Sequence, residues 1–187
     1  TDESIRTAVT AWFSNATAAE ATYGHISTWE TSGVTDMSHL FCGASTDYSG
    51  VGYCNTLAAS FNEDIGAWDT SGVTTMYAMF YQNSGFNQDI GDWAVHSVTN
   101  IGGLFSEGPF HQDLSGWCME DDVNRLGPIG EDYVFPAICG IAMCGVRFAD
   151  GACSPTPAPT SSRPTYSGAP TIYVPSTGNV MINWKIK

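Results

Sequence analysis

Residues 61–93 read FNEDIGAWDTSGVTTMYAMFYQNSGFNQDIGDW, so FNEDIGAW at 61–68 returns as FNQDIGDW at 86–93. Aligned on tryptophan, the duplication extends in both directions. Trp29, Trp68, Trp93 and Trp117 are separated by 39, 25 and 24 residues, and Ile26, Ile65, Ile90 and Leu114 keep the same intervals. The interval of 39 is a 25 carrying a 14-residue insertion, which holds the stretch from Cys42 to Cys54. The chain therefore contains four units of one repeat.

Each unit has the same parts. Phe61, Phe86 and Phe110 open the last three, followed by an aspartate (Asp64, Asp89, Asp113), the aliphatic residue, a small residue and tryptophan. After a turn-rich segment come Val34, Met37, Leu40 and Phe41, then Val73, Met76, Met79 and Phe80, then Val98, Ile101, Leu104 and Phe105. Steps of three, six and seven predict one face of a short helix, with Thr35, Thr74 and Thr99 as N-caps. The FNxDI stretch is predicted to be a short strand. One such unit cannot enclose its own apolar side chains, and a period near 25 residues is the mark of a stacked solenoid. The expected fold is an α/β solenoid of leucine-rich-repeat-like coils, with a short parallel β-sheet, short helices, an N-terminal helical cap and a C-terminal β-hairpin tail. Residues 3–22 are predicted to be one amphipathic helix, with Ile5, Val9, Trp12 and Phe13 covering the first coil.

FNQDIGDW, DTSGVTTMYAMF and SFNEDIGAW resemble the BspA-like repeat, a leucine-rich-repeat relative found in mycoplasma-type lipoproteins and in bacterial and microalgal surface proteins. The resemblance covers Ile26 to Trp117. Upstream, IRTAVTAWFSNATAAEATYGHISTW resembles the helix preceding the first repeat in algal members. FHQDLSGWC, with Phe135, Pro136 and Cys139 downstream, is similar to their closing unit. The insertion at 42–54 and everything after Cys153 depart from the pattern. The resemblance implies structural and interaction roles at a cell surface, and brings no catalytic residues with it.

The domain organisation expected is an N-terminal helical cap (1–25), the repeats (26–117, insertion 42–54), a disulfide-rich C-terminal cap (118–153), a Pro/Ser/Thr linker (154–170) and a hairpin tail (171–187). The six cysteines, Cys42, Cys54, Cys118, Cys139, Cys144 and Cys153, form no C-x-x-C pair of the kind that builds zinc sites. They point to disulfides and an oxidising compartment. Cys42 is expected to pair with Cys54, and the other four leave three connectivities open. Asn15-Ala16-Thr17 is a glycosylation sequon in a secreted chain.

The net charge of −13 is unevenly spread. All acids lie between Asp2 and Asp150, whereas Arg163, Lys185 and Lys187 lie beyond Cys153. An acidic body excludes a nucleic-acid partner, because phosphate neutralisation needs clustered cations. No apolar run is long enough to span a membrane, and no signal peptide opens the sequence, so a secreted chain would be a mature form.

Searching for chemistry yields little. The column Asp64, Asp89, Asp113 could bind calcium, but bonding of each carboxylate to backbone amides is the preferred reading, and no cofactor is expected. His25, His39, His96 and His111 fall at different repeat positions with no partner spacing suited to acid–base work. No nucleophile, P-loop or dinucleotide motif appears. The tryptophan column reads as core, leaving Tyr48, Tyr53, Tyr77 and Tyr81 as the candidates for exposed contact with glycans.

In the tail, TIYV and VMINWKIK predict a hairpin whose Ile172, Val174, Val180, Ile182, Trp184 and Ile186 form an apolar set beside Lys185 and Lys187. A lone hairpin is marginal in water. On a seventeen-residue extended linker it could reach a neighbouring molecule, add a strand to its sheet edge and set its bases against the acidic body. The function expected is thus a non-enzymatic extracellular structural or adhesive component of a surface layer, appendage or filament. Its partners are other copies of itself or related surface proteins. A glycan- or protein-binding module is the alternative.

Overall fold

The computed structural model describes residues 1–45, 54–126 and 144–148, together with the backbone of 172–173 and 181–182. The chain opens with α1 (Asp2–Ser14) and α2 (Ala16–Tyr23). Thr1 caps α1 through a reciprocal pair of bonds with Ser4. The single helix expected over 3–22 is broken at Asn15, which is extended and uses its side chain to accept the Ala18 amide at 3.1 Å, starting a new helix. Ile5, Ala8, Val9 and Trp12 form the buried face of α1.

The repeats that follow lie one on another, like residue over like residue. Two phenylalanine columns run through the interior. Phe41, Phe80 and Phe105 stack at 5.4 and 5.6 Å between ring centroids, and Phe61, Phe86 and Phe110 stack at 6.1 and 6.0 Å. Where one unit passes into the next the two columns touch, Phe80 against Phe86 at 3.8 Å and Phe105 against Phe110 at 3.9 Å. Phe13 from α1 closes the first coil, edge-on to both Phe41 and Phe61. The indoles of the last three repeats are buried and bond backward: Trp68 Nε1 donates to the Ile26 carbonyl, Trp93 Nε1 to that of Ile65, and Trp117 Nε1 to that of Ile90, at 2.8, 3.2 and 3.0 Å. The tryptophan therefore buries a large apolar area and satisfies a carbonyl of the preceding coil at once.

The segments predicted to be short helices, Val34–Phe41, Val73–Phe80 and Val98–Phe105, are not helical. They carry the inter-coil backbone ladder. Met37, His39, Phe41 and Gly43 donate to the carbonyls of Thr75, Tyr77, Met79 and Tyr81, and Met76, Ala78, Phe80 and Gln82 donate to those of Asn100, Gly102, Leu104 and Ser106. The residues between them bond three positions back within their own coil, as Leu40 does to Met37, Met79 to Met76 and Leu104 to Ile101. Each coil is thus a run of successive turns, and a turn closing over three residues gives apolar side chains the same spacing a helix would. The turns require left-handed backbone at His39 (φ 59°), Ala78 (φ 51°) and Gly103 (φ 66°), and again at Gln82 (φ 52°) and Glu107 (φ 60°).

Thr35, Thr74 and Thr99 are accordingly not N-caps. Thr74 gives both its amide and its hydroxyl to the Thr35 carbonyl, and Thr99 does the same to Thr74. Parallel bridges join Asp36 to Thr75, Thr75 to Asn100 and Asn100 to Asn124, so the ladder runs on past Trp117. The FNxDI segments are not strands either. Side chains stitch them: Asn62 Oδ1 accepts the Asn87 amide at 2.9 Å and Asn87 Oδ1 accepts that of His111 at 3.0 Å, while Gln88 and Gln112 reach back to the Asn62 and Asn87 carbonyls.

Beyond the fourth tryptophan, β1 (Cys118–Met119) pairs in parallel with β2 (Arg147–Phe148). Cys144, Val146 and Phe148 pack against the core at this end. In the tail, β3 (Ile172–Tyr173) pairs antiparallel with β4 (Met181–Ile182), in the register Ile172 to Ile182.

Candidate functional site

The first coil has an outer edge with no preceding coil to bond, and α1 supplies the missing partners. Asp2 accepts the Thr35 and Asp36 amides on Oδ1 at 2.7 and 3.1 Å, and the Thr35 hydroxyl on Oδ2 at 2.9 Å. Arg6 donates to the Ser38 carbonyl at 2.8 Å and the Asp36 carbonyl at 3.2 Å, and pairs with the Asp36 carboxylate at 3.1 Å. Donors and acceptors of this edge are thereby both given partners, which guards an exposed sheet edge against pairing with other chains.

Next to this edge lies an open depression of about 450 Å³, lined by Arg6 of α1, Asp36, Ser38 and His39 of the first coil, Thr75 and Tyr77 of the second, and Asn100 of the third. The polar column 36, 75, 100 builds its floor. Asp36 Oδ1 accepts the Ser38 amide, Thr75 Oγ1 that of Tyr77 and Asn100 Oδ1 that of Gly102, each two residues on. Ser38 and Thr75 share a hydroxyl–hydroxyl bond at 3.1 Å. His39 is buried and lies edge-on to the half-buried Tyr77 ring at 5.2 Å. Burial pushes the Tyr77 phenol upward from its ordinary pKa. Sequence reading missed this cluster, although its signal was present: a polar residue follows the threonine in each of the first three repeats.

The other sequence-derived candidates are placed elsewhere. Asp64, Asp89 and Asp113 each accept the amide two residues on, at 3.0, 3.0 and 2.9 Å, the amide-bonding reading of that column. Among the described residues no group of three or more His, Cys, Asp or Glu side chains is placed to hold a metal ion. Tyr81, expected to be exposed, is 5% exposed instead. It packs with Ala44, Ala78 and Cys42 and donates to Glu107 at 3.1 Å. Tyr48 and Tyr53 lie outside the described residues. His25 bonds Ser27, and His111 bonds the Pro109 carbonyl and Asn87. His96 is exposed.

Cys42 and Cys54 form a disulfide with a Cα separation of 4.8 Å. Cys118 and Cys144 each take part in a disulfide. Cys139 and Cys153 lie outside the described residues, as do Val174, Val180, Trp184, Lys185, Ile186 and Lys187. Asn15 is exposed between the two helices. Among the described residues no helix is long and apolar enough to cross a membrane.

Residues 7–127 match the model of a family described as "Mycoplasma protein of unknown function, DUF285". No curated protein and no solved structure matches the chain significantly.

Proposed function

Because the chain belongs to the DUF285 family of mycoplasma proteins of unknown function, we propose that it is a non-enzymatic extracellular protein with a structural and adhesive role at a cell surface. It is a solenoid with leucine-rich-repeat-like periodicity, serving a layer, appendage or filament whose subunits are tied through the C-terminal tail. The observation that carries this reading is where the repeat spends its side chains. Its Phe, Ile and Trp pack on their own copies, and its Asp, Asn, Gln and Thr bond to backbone, much of it in the adjacent coil. A motif so used builds a rigid stack. The Cys42–Cys54 disulfide suits an oxidising, extracellular setting.

The tail supplies the link between subunits. The antiparallel pairing of β3 with β4 supports the strand-addition reading, and the three bases of the tail complement the acidic body. The test is the mass and the electron-microscope image of the full chain, against a chain lacking residues 154–187. Polymers that disappear on truncation are expected. A full chain that stays monomeric, or a truncated one that polymerises equally, overturns the reading. The depression beside α1 favours a second reading, a recognition module for glycans or proteins.

A further inference from the structure

We propose that the depression formed by Arg6, Asp36, Thr75, Tyr77 and Asn100 is a binding site for a neutral saccharide. The first step is charge. Arg6 is the only cation lining it, and its guanidinium is committed to two carbonyls and the Asp36 carboxylate. The Asp36 carboxylate already balances that charge, and the rest of the body is acidic, which disfavours a phosphate or carboxylate ligand. With Arg6 and Asp36 cancelling, the lining carries no net formal charge, which suits a neutral ligand.

The second step is the inventory of groups the fold leaves unspent. Among the described residues, the Tyr77 hydroxyl, the Asn100 Nδ2 and the Asp36 Oδ2 have no hydrogen-bond partner, although Asn100 Oδ1 and Asp36 Oδ1 are both engaged. The site thus presents a hydroxyl, an amide donor and a carboxylate acceptor around an aromatic ring, on a backbone whose Thr75, Tyr77 and Asn100 carbonyls already accept inter-coil bonds. That set matches a ring with vicinal hydroxyls on its rim and C–H groups on its face. It does not match a peptide strand, which needs free backbone.

The third step is rigidity. Each of these side chains is held in place, Asp36 and Asn100 by Oδ1 bonds within their own coils and Tyr77 between His39 of the first coil and Gly102 of the third, where a Cβ would come within 3.2 Å of the Tyr77 ring. A preformed site loses little entropy on binding. A space of about 450 Å³ holds one or two sugar rings.

This site stands whether or not subunits polymerise, so its failure and that of the assembly role are separable. The test is saturation-transfer NMR on the full chain with cellobiose, maltose, lactose and chitobiose, each at about millimolar concentration. At least one sugar should receive saturation. Tyr77→Phe, which keeps the ring, and Asn100→Asp, which keeps the Oδ1 acceptor for Gly102, should each weaken it by about threefold to tenfold while circular dichroism stays native. Tyr77→Ala should abolish it. If none of the four sugars binds, if binding survives Tyr77→Phe and Asn100→Asp unchanged, or if glucose 6-phosphate binds more tightly than the neutral sugars, the assignment is wrong.

Discussion

The Asp2 carboxylate stands in for a missing coil above Thr35: one oxygen takes the Thr35 amide at 2.7 Å and the other its hydroxyl at 2.9 Å. In the interior of the stack the same two donors, on Thr74, go to the Thr35 carbonyl. One helical residue thus ends a ladder that would otherwise continue into solvent or a neighbouring molecule.

The Thr35 amide, then that of Asp36, holds the Asp2 carboxyl below the usual aspartate range, against a smaller upward push from partial burial. A lowered folded pKa means that this contribution to stability is complete above about pH 4, the unfolded value, and is lost as pH falls through the folded one. Asp2→Ala should cost about 1 kcal/mol at neutral pH, since the site is open to solvent, and should flatten the acid limb of the stability curve. Urea melts of both proteins from pH 2 to 7 check this.

Trp93→Phe removes the donor to the Ile65 carbonyl in a site 1% exposed. An unsatisfied buried carbonyl plus a cavity should cost about 2 to 4 kcal/mol. Denaturant unfolding followed by the remaining tryptophans measures it, and a loss below about 0.5 kcal/mol would show that the indole bond is dispensable.

Gly66 sits under the next coil, where an added Cβ would come 2.6 Å from the Asp89 carbonyl oxygen, whereas at Gly33 it would meet nothing within 4 Å. Gly66→Ala should therefore destabilise by about 1 to 3 kcal/mol and Gly33→Ala should be neutral or slightly stabilising. Paired thermal melts decide between a packing requirement and a general glycine preference.

Replacing both Cys42 and Cys54 by serine frees the ends of the insertion, which are 12 residues apart in sequence. The loss should be no more than about 3 kcal/mol by loop entropy. The Phe and Trp columns lie outside the small cluster around this disulfide, so near-ultraviolet circular dichroism should stay native.

The columns were legible in the sequence because each is an interval: Trp68 to Trp93 and Phe61 to Phe86 repeat by a period that only stacked copies explain. The helices predicted over Val73–Phe80 were a misreading with a physical cause. Turns that bond Met79 back to Met76 and Tyr81 to Ala78 place apolar residues three apart, as a helix does. Nothing local separates the two, and the left-handed backbone at Ala78 carries no glycine to mark it. The strand predicted at FNxDI failed for the converse reason, because Asn62 and Asn87 side chains make the inter-coil bonds that a strand backbone would have made. In the depression, the polar residues at 36, 75 and 100 were visible as a recurring type, but their approach to Arg6 from a different element was not.

What the sequence determined by itself was the period, the buried residues and the need for a cap, because burial of apolar surface depends on which residues recur and hardly on the backbone path between them. The tertiary structure decided which segment carries the ladder, how Asp2 and Arg6 close its edge, and that Tyr77 and Asn100 share one surface. Those choices are made by hydrogen bonds between residues 23 to 39 positions apart, whose donors and acceptors acquire partners only when the coils are already stacked.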